Sequence, residues 1–332
     1  VKNLPTIVEK LIEKGRDPGT KAALIRWGTT PRQETLTGTL ETIVKLVEEN
    51  NFKPPAVFVV GDVSGLREEL NWFETKPLFG KGIVITRPEA QSAEFAELLY
   101  EEGARVIAFP TIKIVPPETF DDFDLAISDI ERYDWIIFTS VNGVRYFFDR
   151  LYHLGKDARD LKGVSICAIG PATSKAVGAR GIRVDLVPES YISESVVAAF
   201  DKEAVGGKKI LIPRAEVARD LIPESMTAMG ARCDVITAYH TVASEMTGED
   251  FQEMAETGTI DIITFTSPST VDNFIDIVGR DNIPKNTRIA CIGPVTKKAA
   301  EGLGLDVHIM ARSYTVEGMV RAMIEYFQED SK

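Results

Sequence analysis

One passage of this chain is written twice. Gly103 to Val115, GARVIAFPTIKIV, aligns without gaps on Gly230 to Val242, GARCDVITAYHTV, and the match continues on both sides. GIVITRP corresponds to KILIPRAE, placing Arg87 opposite Arg214, and YDWIIFTSVNGVRYFF corresponds to IDIITFTSPSTVDNFI, placing Thr139 and Ser140 opposite Thr266 and Ser267. Arg87 to Arg214, Gly103 to Gly230 and Thr139 to Thr266 are each 127 residues apart. Further on, Gly170 to Gly293 and Tyr191 to Tyr314 are each 123 apart, so the second copy lacks four residues. The later matches are VSICAIGPATSKAV with RIACIGPVTKKAA, and GIRVDLVPESY with GLDVHIMARSY. Such a repeat restricts the fold to two similar modules. Each copy reads as five short apolar strands alternating with helices, the pattern of a doubly wound parallel α/β sheet. Gly103 and Gly230 stand where a helix stops in the left-handed conformation.

Within the repeat one pair differs in chemistry: Tyr239 falls opposite Ile112. Pro110 sits inside a run of roughly ten extended residues, longer than a typical strand. Its partner run is Cys233 to Val242. Two long strands of this kind suit a ladder between modules, with the chain crossing over after its first βα unit and returning near Tyr239. Two consecutive domains fit the pattern equally well.

The segment before the repeat is different. Lys21 to Asn51 reads as a strand, a turn at Pro31 and a helix starting near Thr37 or Thr39, with Leu40, Ile43, Val44 and Val47 at helical spacing. A buried strand is expected after Pro54 and Pro55. Strand, helix and strand leave apolar faces uncovered, so this segment needs a neighbour. The chain opens on Val1 and an amphipathic VEKLIEKG, the pattern expected of a segment continuing from upstream.

A net charge of −12 opposes nonspecific binding to nucleic acid or to an anionic membrane. No apolar run approaches the roughly 20 residues of a membrane span, and no signal peptide is evident. Cys167, Cys233 and Cys291 lie far apart in apolar runs, without metal-site spacing or a disulfide framework. A reducing, cytoplasmic setting follows.

In open parallel sheets ligands bind beyond the carboxyl ends of the strands, where loops feed helix N-termini. FTSVNG, FTSPST, IGPAT and IGPVT occupy that position. Their hydroxyls and N–H groups would suit a ligand rich in carboxylates or phosphates. Neither IGPAT nor IGPVT is a GxGxxG or Walker loop, so a nucleotide is not expected. Taken singly, Ser, Thr and Asn here are ordinary caps and Pro is ordinary in a first turn. Both copies carrying both loops favours a ligand. Arg87 and Arg214 read as carboxylate clamps or as solvated charges. Tyr239 can donate a proton to a departing hydroxyl, or it can simply pack. His240 should point to the opposite strand face. His153 and His308 have no neighbouring ligand set, and metal catalysis is not expected.

Two resemblances extend this reading. GRDPGTKAALIRWGTTPRQETLTGTLETI with AVFVVGDVSGLREELNWFE resembles the carboxyl end of uroporphyrinogen-III C-methyltransferase, a tetrapyrrole methylase that uses S-adenosylmethionine, over Gly15 to about Pro77. Where that family has Thr-Pro-Ala-Ala this chain has Thr20, Lys21, Ala22 and Ala23, and the resemblance implies that the backbone near Ala22 would adjoin the cofactor. The family's glycine-rich half is not in this sequence, so a remnant or truncated fusion is expected, without methylation by this chain alone.

Gly82 to Phe327 resembles uroporphyrinogen-III synthase through ITRP, FTSVNGV, AIGPAT, IPRAE, AYHTV, FTSPSTVDNF and IGPVTKKAA. The resemblance implies two similar doubly wound parallel-sheet domains joined by a two-stranded β-ladder, beside a small α/β N-terminal remnant. The implied division is 1–80, then 81–109 with 243–332, and 110–242. It implies a hydro-lyase with its active site in the cleft between domains, without cofactor or metal, that cyclises hydroxymethylbilane with loss of water and inversion of ring D. Loops containing Thr139, Ser140, Asn142, Gly170, Pro171, Thr173, Thr266, Ser267, Ser269, Gly293, Pro294 and Thr296, with Arg87 and Arg214, would hold the substrate's carboxylates. Tyr239 would assist hydroxyl departure. Hydroxymethylbilane synthase and a methylase are the implied protein partners, since the methylase consumes what the synthase makes on the way to sirohaem or cobalamin. A two-lobed protein that binds an anion without transforming it is the competing class, and a methylase with an accessory domain is a third.

Overall fold

The computed structural model describes residues 1–190, 192–200 and 205–330; Tyr191, matched above to Tyr314, lies outside them. Contacts gather the chain into two compact units, one built from Val1–Ile112 and the chain from Ser244 onward, the other from Lys113–Ala243.

The first unit begins with strands β1 (Lys21–Arg26), β2 (Glu34–Thr39) and β3 (Val57–Val60), all antiparallel in the order β2-β1-β3. The sequence reading of a helix from Thr37 or Thr39 is corrected here. ETLTGT is a strand, and the helix is confined to Ile43–Glu49. Alternating Thr35, Thr37 and Thr39 favour the pleat, and register pairs Leu36 with Leu24 and Gly38 with Ala22. A Cβ at Gly38 would lie 2.8 Å from both Leu46 and Thr42, so the helix packs directly on the strand. The strand expected to be buried after Pro55 is an edge strand, with Val57 65% exposed. One sheet face finds its cover within the chain, against helices Leu4–Glu13 and Ile43–Glu49, around Leu4, Val8, Ala22, Leu24 and Phe52. This segment is tied to the rest of its unit: Tyr100 donates to the Thr29 carbonyl at 3.1 Å, and the Leu78 N–H to the Glu102 carbonyl at 3.0 Å.

Ten further strands follow: β4 (Gly82–Ile85), β5 (Arg105–Ala108), β6 (Ile112–Val115), β7 (Trp135–Phe138), β8 (Ser165–Ala168), β9 (Lys209–Ala215), β10 (Arg232–Ala243), β11 (Ile262–Phe265), β12 (Arg288–Cys291) and β13 (Val307–Met310). The first unit holds the parallel sheet β13-β12-β11-β4-β5, the second the sheet β6-β10-β9-β7-β8, parallel from β10 to β8. The repeat is visible in this order, since β4, β5, β11 and β12 correspond to β9, β10, β7 and β8. Both faces of each sheet are covered, as parallel sheets require. In β4, Ile83 and Ile85 join Phe95, Leu99, Met319 and Met323 on one face, while Val84 joins Phe251, Phe265 and Phe274 on the other. In the second unit Phe138 and Leu211 meet Phe147 and Phe148, whereas Ile137 and Ile212 meet Phe200 and Met226. Gly103 and Gly230 close their helices with φ of +85° and +91°.

The copies diverge at both sheet edges. The long run around Pro110 is two strands, β5 and β6, separated by Phe109, Pro110 and Thr111, while its counterpart β10 runs unbroken through 12 residues. Proline carries no N–H for the ladder, which interrupts the strand. At the other edge, the fifth strand expected in GIRVDLVPESY is one bridge, Cys167 to Leu186, where the other copy has β13. The Asp185 carboxylate accepts the Ile166 N–H at 2.7 Å, and the aligned His308 accepts the Ile289 N–H through Nδ1 at 3.2 Å. Pro188 then follows only in the copy whose strand is lost. Among the described residues no helix is long and apolar enough to cross a membrane.

Candidate functional site

In the second unit β7 runs into Ser140, whose extended backbone (φ −159°, ψ 157°) opens the helix Val141–His153. Ser140 Oγ accepts the Gly143 N–H at 3.0 Å, satisfying one of the donors every helix start leaves open. Gly143 is required by a close approach: a Cβ there would lie 2.7 Å from the Pro213 carbonyl of β9.

Tyr239 reaches the same place from β10. Thr237 is paired with Arg214 and Tyr239 with Ala215, so a bulge at Ala238 shifts the register between them. A bulge breaks the alternation of faces and re-aims the side chain that follows it. Ala238 and Tyr239 are consequently both buried, at 0% and 7% exposure. The phenol oxygen lies 3.0 Å from Ser140 Oγ, and the ring stacks on Tyr146 with centroids 5.8 Å apart and planes 18° from parallel. Tyr146 donates to the Ile114 carbonyl at 3.4 Å. Its role escaped the sequence reading, although the aligned residue is Asn273 and the aromatic was gained in the same copy as Tyr239.

Arg214 is a buried guanidinium at the end of β9, 9% exposed. Nη1 donates to the Arg219 carbonyl at 2.7 Å, Nη2 donates to Asp220, and the buried Nε has no partner. Arg214 is not a solvated charge, and the carboxylate it holds here is Asp220. Its counterpart Arg87 is half-buried, donates to Gln91 at 3.3 Å, and is pushed below the usual arginine range by burial, against the opposing pull of Glu94.

The loop hydroxyls separate into two groups. In the first unit Ser267 is engaged in its own cap: Oγ accepts the Thr270 N–H at 3.3 Å, its N–H donates to Thr270 Oγ1 at 3.2 Å, and Ser269 Oγ lies 3.0 Å from Ser267 Oγ. Asn142, Thr173 and Thr296 are buried as residues, but none of their side-chain polar atoms is among the described buried atoms left without a partner, which are Arg26 Nε and Arg214 Nε. Thr139 and Thr266 are half-buried. Gly170 and Gly293 are extended caps with Pro171 and Pro294 in the first turn of the next helix. The exposed Tyr314 ring covers Gly293, where a Cβ would lie 3.1 Å from it.

Other expected groups lie apart from these loops. His240 holds Glu216 at 2.8 Å and lines a cavity of about 550 Å³ with Glu118, Asp122 and Thr237, an acidic surround that repels carboxylates. Ala22 is paired on both sides in β1, with its side chain in the core. The neighbouring Ala23 faces a different cavity, of about 290 Å³, with Val59, Leu66 and Trp72. Burial pushes the Cys167 and Cys291 thiols up to about 12. Among the described residues no group of three or more His, Cys, Asp or Glu could hold a metal ion.

Comparison with known proteins matches residues 93–321 to a family described as uroporphyrinogen-III synthase HemD. The porphyrin biosynthesis protein HemD of Ruminiclostridium josui is 32% identical over 324 residues, 97% of this chain and 64% of that protein, so the chain spans under two thirds of this relative. The uroporphyrinogen-III C-methyltransferase of Bacillus subtilis strain 168 is 32% identical over 161 residues, 48% of this chain and 32% of that enzyme. Among solved structures, a mutant uroporphyrinogen III synthase from the extremely thermophilic bacterium Thermus thermophilus superposes with a TM-score of 0.53 at 15% identity, covering 75% of this chain and 99% of the other. At that identity the likeness speaks to the fold.

Proposed function

The chain belongs to the uroporphyrinogen-III synthase family, and from that membership we propose that it cyclises hydroxymethylbilane to uroporphyrinogen III, with loss of water and inversion of ring D. The observation that carries the assignment is Tyr239. A bulge present in one copy of the repeat brings a phenol to the end of a parallel sheet, beside a helix N-terminus, where ligands of such sheets bind.

Tyr239 donates its proton to the hydroxyl of the terminal hydroxymethyl group, which departs as water as the adjacent pyrrole supplies electrons and becomes an azafulvene. The substituted carbon of ring D attacks the methylene to give a spiro intermediate; the older bond from that carbon to its methylene breaks, the free α-carbon of the turned ring bonds to that methylene instead, and the proton it loses restores the phenol. No strong nucleophile, metal or redox cofactor enters this sequence; the protein's contribution is to hold one geometry of a flexible chain. Asn142, Thr173 and Thr296, whose polar atoms are not among the described buried unpartnered ones, are the donors assigned to substrate carboxylates, together with Thr139, Thr266, the N–H groups of Ala172, Thr173, Val295 and Thr296, and Arg87, whereas Arg214 is assigned to holding the Arg219 carbonyl and Asp220. Ser267 and Ser269 are assigned to capping instead, because their hydroxyls are already engaged.

S-adenosylmethionine enters the proposal only through a complete methylase domain, to which Gly15–Pro77 would be the carboxyl end. We place the reaction in the cytoplasm, where Cys167, Cys233 and Cys291 remain free thiols, with hydroxymethylbilane supplied by its synthase. The test is to incubate the protein with hydroxymethylbilane and no additive and to resolve the isomers. Accelerated formation of the type III isomer is expected; type I alone, at the spontaneous rate, would assign the chain to anion binding without chemistry.

A further inference from the structure

We propose that Ser140 is the positioning residue of Tyr239, donating its own hydroxyl proton to the phenol oxygen so that the phenol O–H is turned to the departing group. The inference rests on the synthase reading and adds a direction to one hydrogen bond.

A serine hydroxyl has one proton and two lone pairs. Ser140 commits a lone pair to the Gly143 N–H at 3.0 Å, and the Tyr239 oxygen lies at 3.0 Å from the same Oγ. If Tyr239 were the donor, its only proton would be spent on Ser140, and none would be left for a leaving hydroxyl. With Ser140 as donor, the phenol keeps its proton for the substrate, and negative charge developing on its oxygen is met by an O–H already in place. Acceptance from a helix N–H strengthens the hydroxyl as a donor, and the positive end of a 13-residue helix acts in the same sense.

The surroundings hold this geometry. Tyr146, six residues into the same helix, stacks on the Tyr239 ring, so both contacts to the phenol come from one rigid element. The absence of a side chain at Gly143 lets that helix approach β9. The other copy keeps the serine and the cap but has Ile112, Asn273 and Thr270 at the three corresponding positions, and there Ser267 turns to Thr270 and Ser269. A serine needed only as a cap would leave no reason for the three differences to occur together.

The experiment is a double-mutant cycle with hydroxymethylbilane as substrate. Ser140→Ala is expected to lower kcat about 5-fold, the scale of one neutral hydrogen bond, with KM unchanged. Ser140→Thr, which retains hydroxyl and cap, should restore most of the loss. Ser140→Gly should match Ser140→Ala in kcat while nearly preserving Tm, because glycine caps a helix almost as well as serine. In a Tyr239→Phe background, Ser140→Ala should cost no further kcat. An additive loss in that background, a raised KM with unchanged kcat, or full activity in Ser140→Gly overturns the assignment while leaving the synthase reading intact. Wild-type protein that forms no excess type III isomer overturns both.

Discussion

The loops at Ser140 and Ser267 began as the same sentence and now say different things. Each follows a central parallel strand, each serine has extended backbone, and each accepts an N–H from the residue three positions on. At Ser267 the polar groups close on themselves through Thr270 and Ser269. At Ser140 the residue corresponding to Thr270 is Gly143, the helix meets the Pro213 carbonyl, and the serine reaches a phenol absent from the other copy. The comparison teaches that a hydroxyl at a helix start is structural until something removes its local partner. In this molecule the copy with glycine opposite Thr270 is the copy that carries Tyr239.

The largest effect should come from forcing one loop into the other's form. Gly143→Thr places a Cβ 2.7 Å from the Pro213 carbonyl, and overpacking against backbone should cost about 3 kcal/mol of unfolding free energy in a denaturant titration. Stability unchanged by this substitution would mean the helix can move away, and that Gly143 does not set the approach. Next, Tyr239→Phe removes the phenol oxygen while keeping the stack on Tyr146, and kcat should fall about 100-fold with little change in Tm. An unchanged kcat would reduce the difference between the copies to packing. Smaller again, Thr270→Ala deletes the side-chain bonds of Thr270 to the Ser267 backbone without touching a phenol, and should cost about 1 kcal/mol of stability with kcat retained. A loss of kcat there would show that the first unit's loop also acts on substrate.

The smallest effect concerns a carboxylate that both copies use at the opposite ends of their strands. Asp134 accepts from Lys208 Nζ and from the Lys209 N–H, both at 2.8 Å, and the aligned Asp261 accepts the Gly82 N–H at 2.7 Å with Lys81 at 4.0 Å. The Lys208 side-chain bond, followed by the backbone bond from Lys209, holds Asp134 below the usual carboxylate range. Because its folded value is depressed, the stability it contributes is fully present above the unfolded value of about 3.9 and is lost as pH falls through the folded one. Thermal melts from about pH 5 downward should therefore decline less steeply for Asp134→Asn than for wild type. Parallel curves would mean that water replaces these partners at no cost, as expected of a weak surface pair.

Much of this architecture was legible because repetition amplifies weak local signals. Apolar runs such as GIVI and IITF, glycines at helix ends and serines at helix starts each carry little information, but their recurrence at constant spacing identified β4, β11 and their counterparts β9 and β7. Tyr239 emerged from the same comparison as a substitution of phenol for hydrocarbon. The N-terminal segment occurs once and had no such check. Ile43, Val44 and Val47 do lie in the helix, but Leu40 is in the turn before it and ETLTGT is a strand, whose pairing with Lys21–Arg26 depends on a distant partner. Arg214 was ambiguous for a related reason. Burial of a guanidinium among Arg219, Asp220 and the sheet end is a property of packing, not of the residues beside it.

The amino-acid sequence by itself determined the two-module α/β plan, the alternation of strand and helix, and the place of each loop, because hydrophobic periodicity and capping act within a few residues. Only the tertiary structure decided where β5 ends and β6 begins, how far the fifth strand of the second unit shrinks, and that Tyr239, rather than a neighbour on β10, meets Ser140. Those outcomes depend on register between strands far apart in sequence. A one-residue bulge exchanges which side chains face the core, and no local pattern records it.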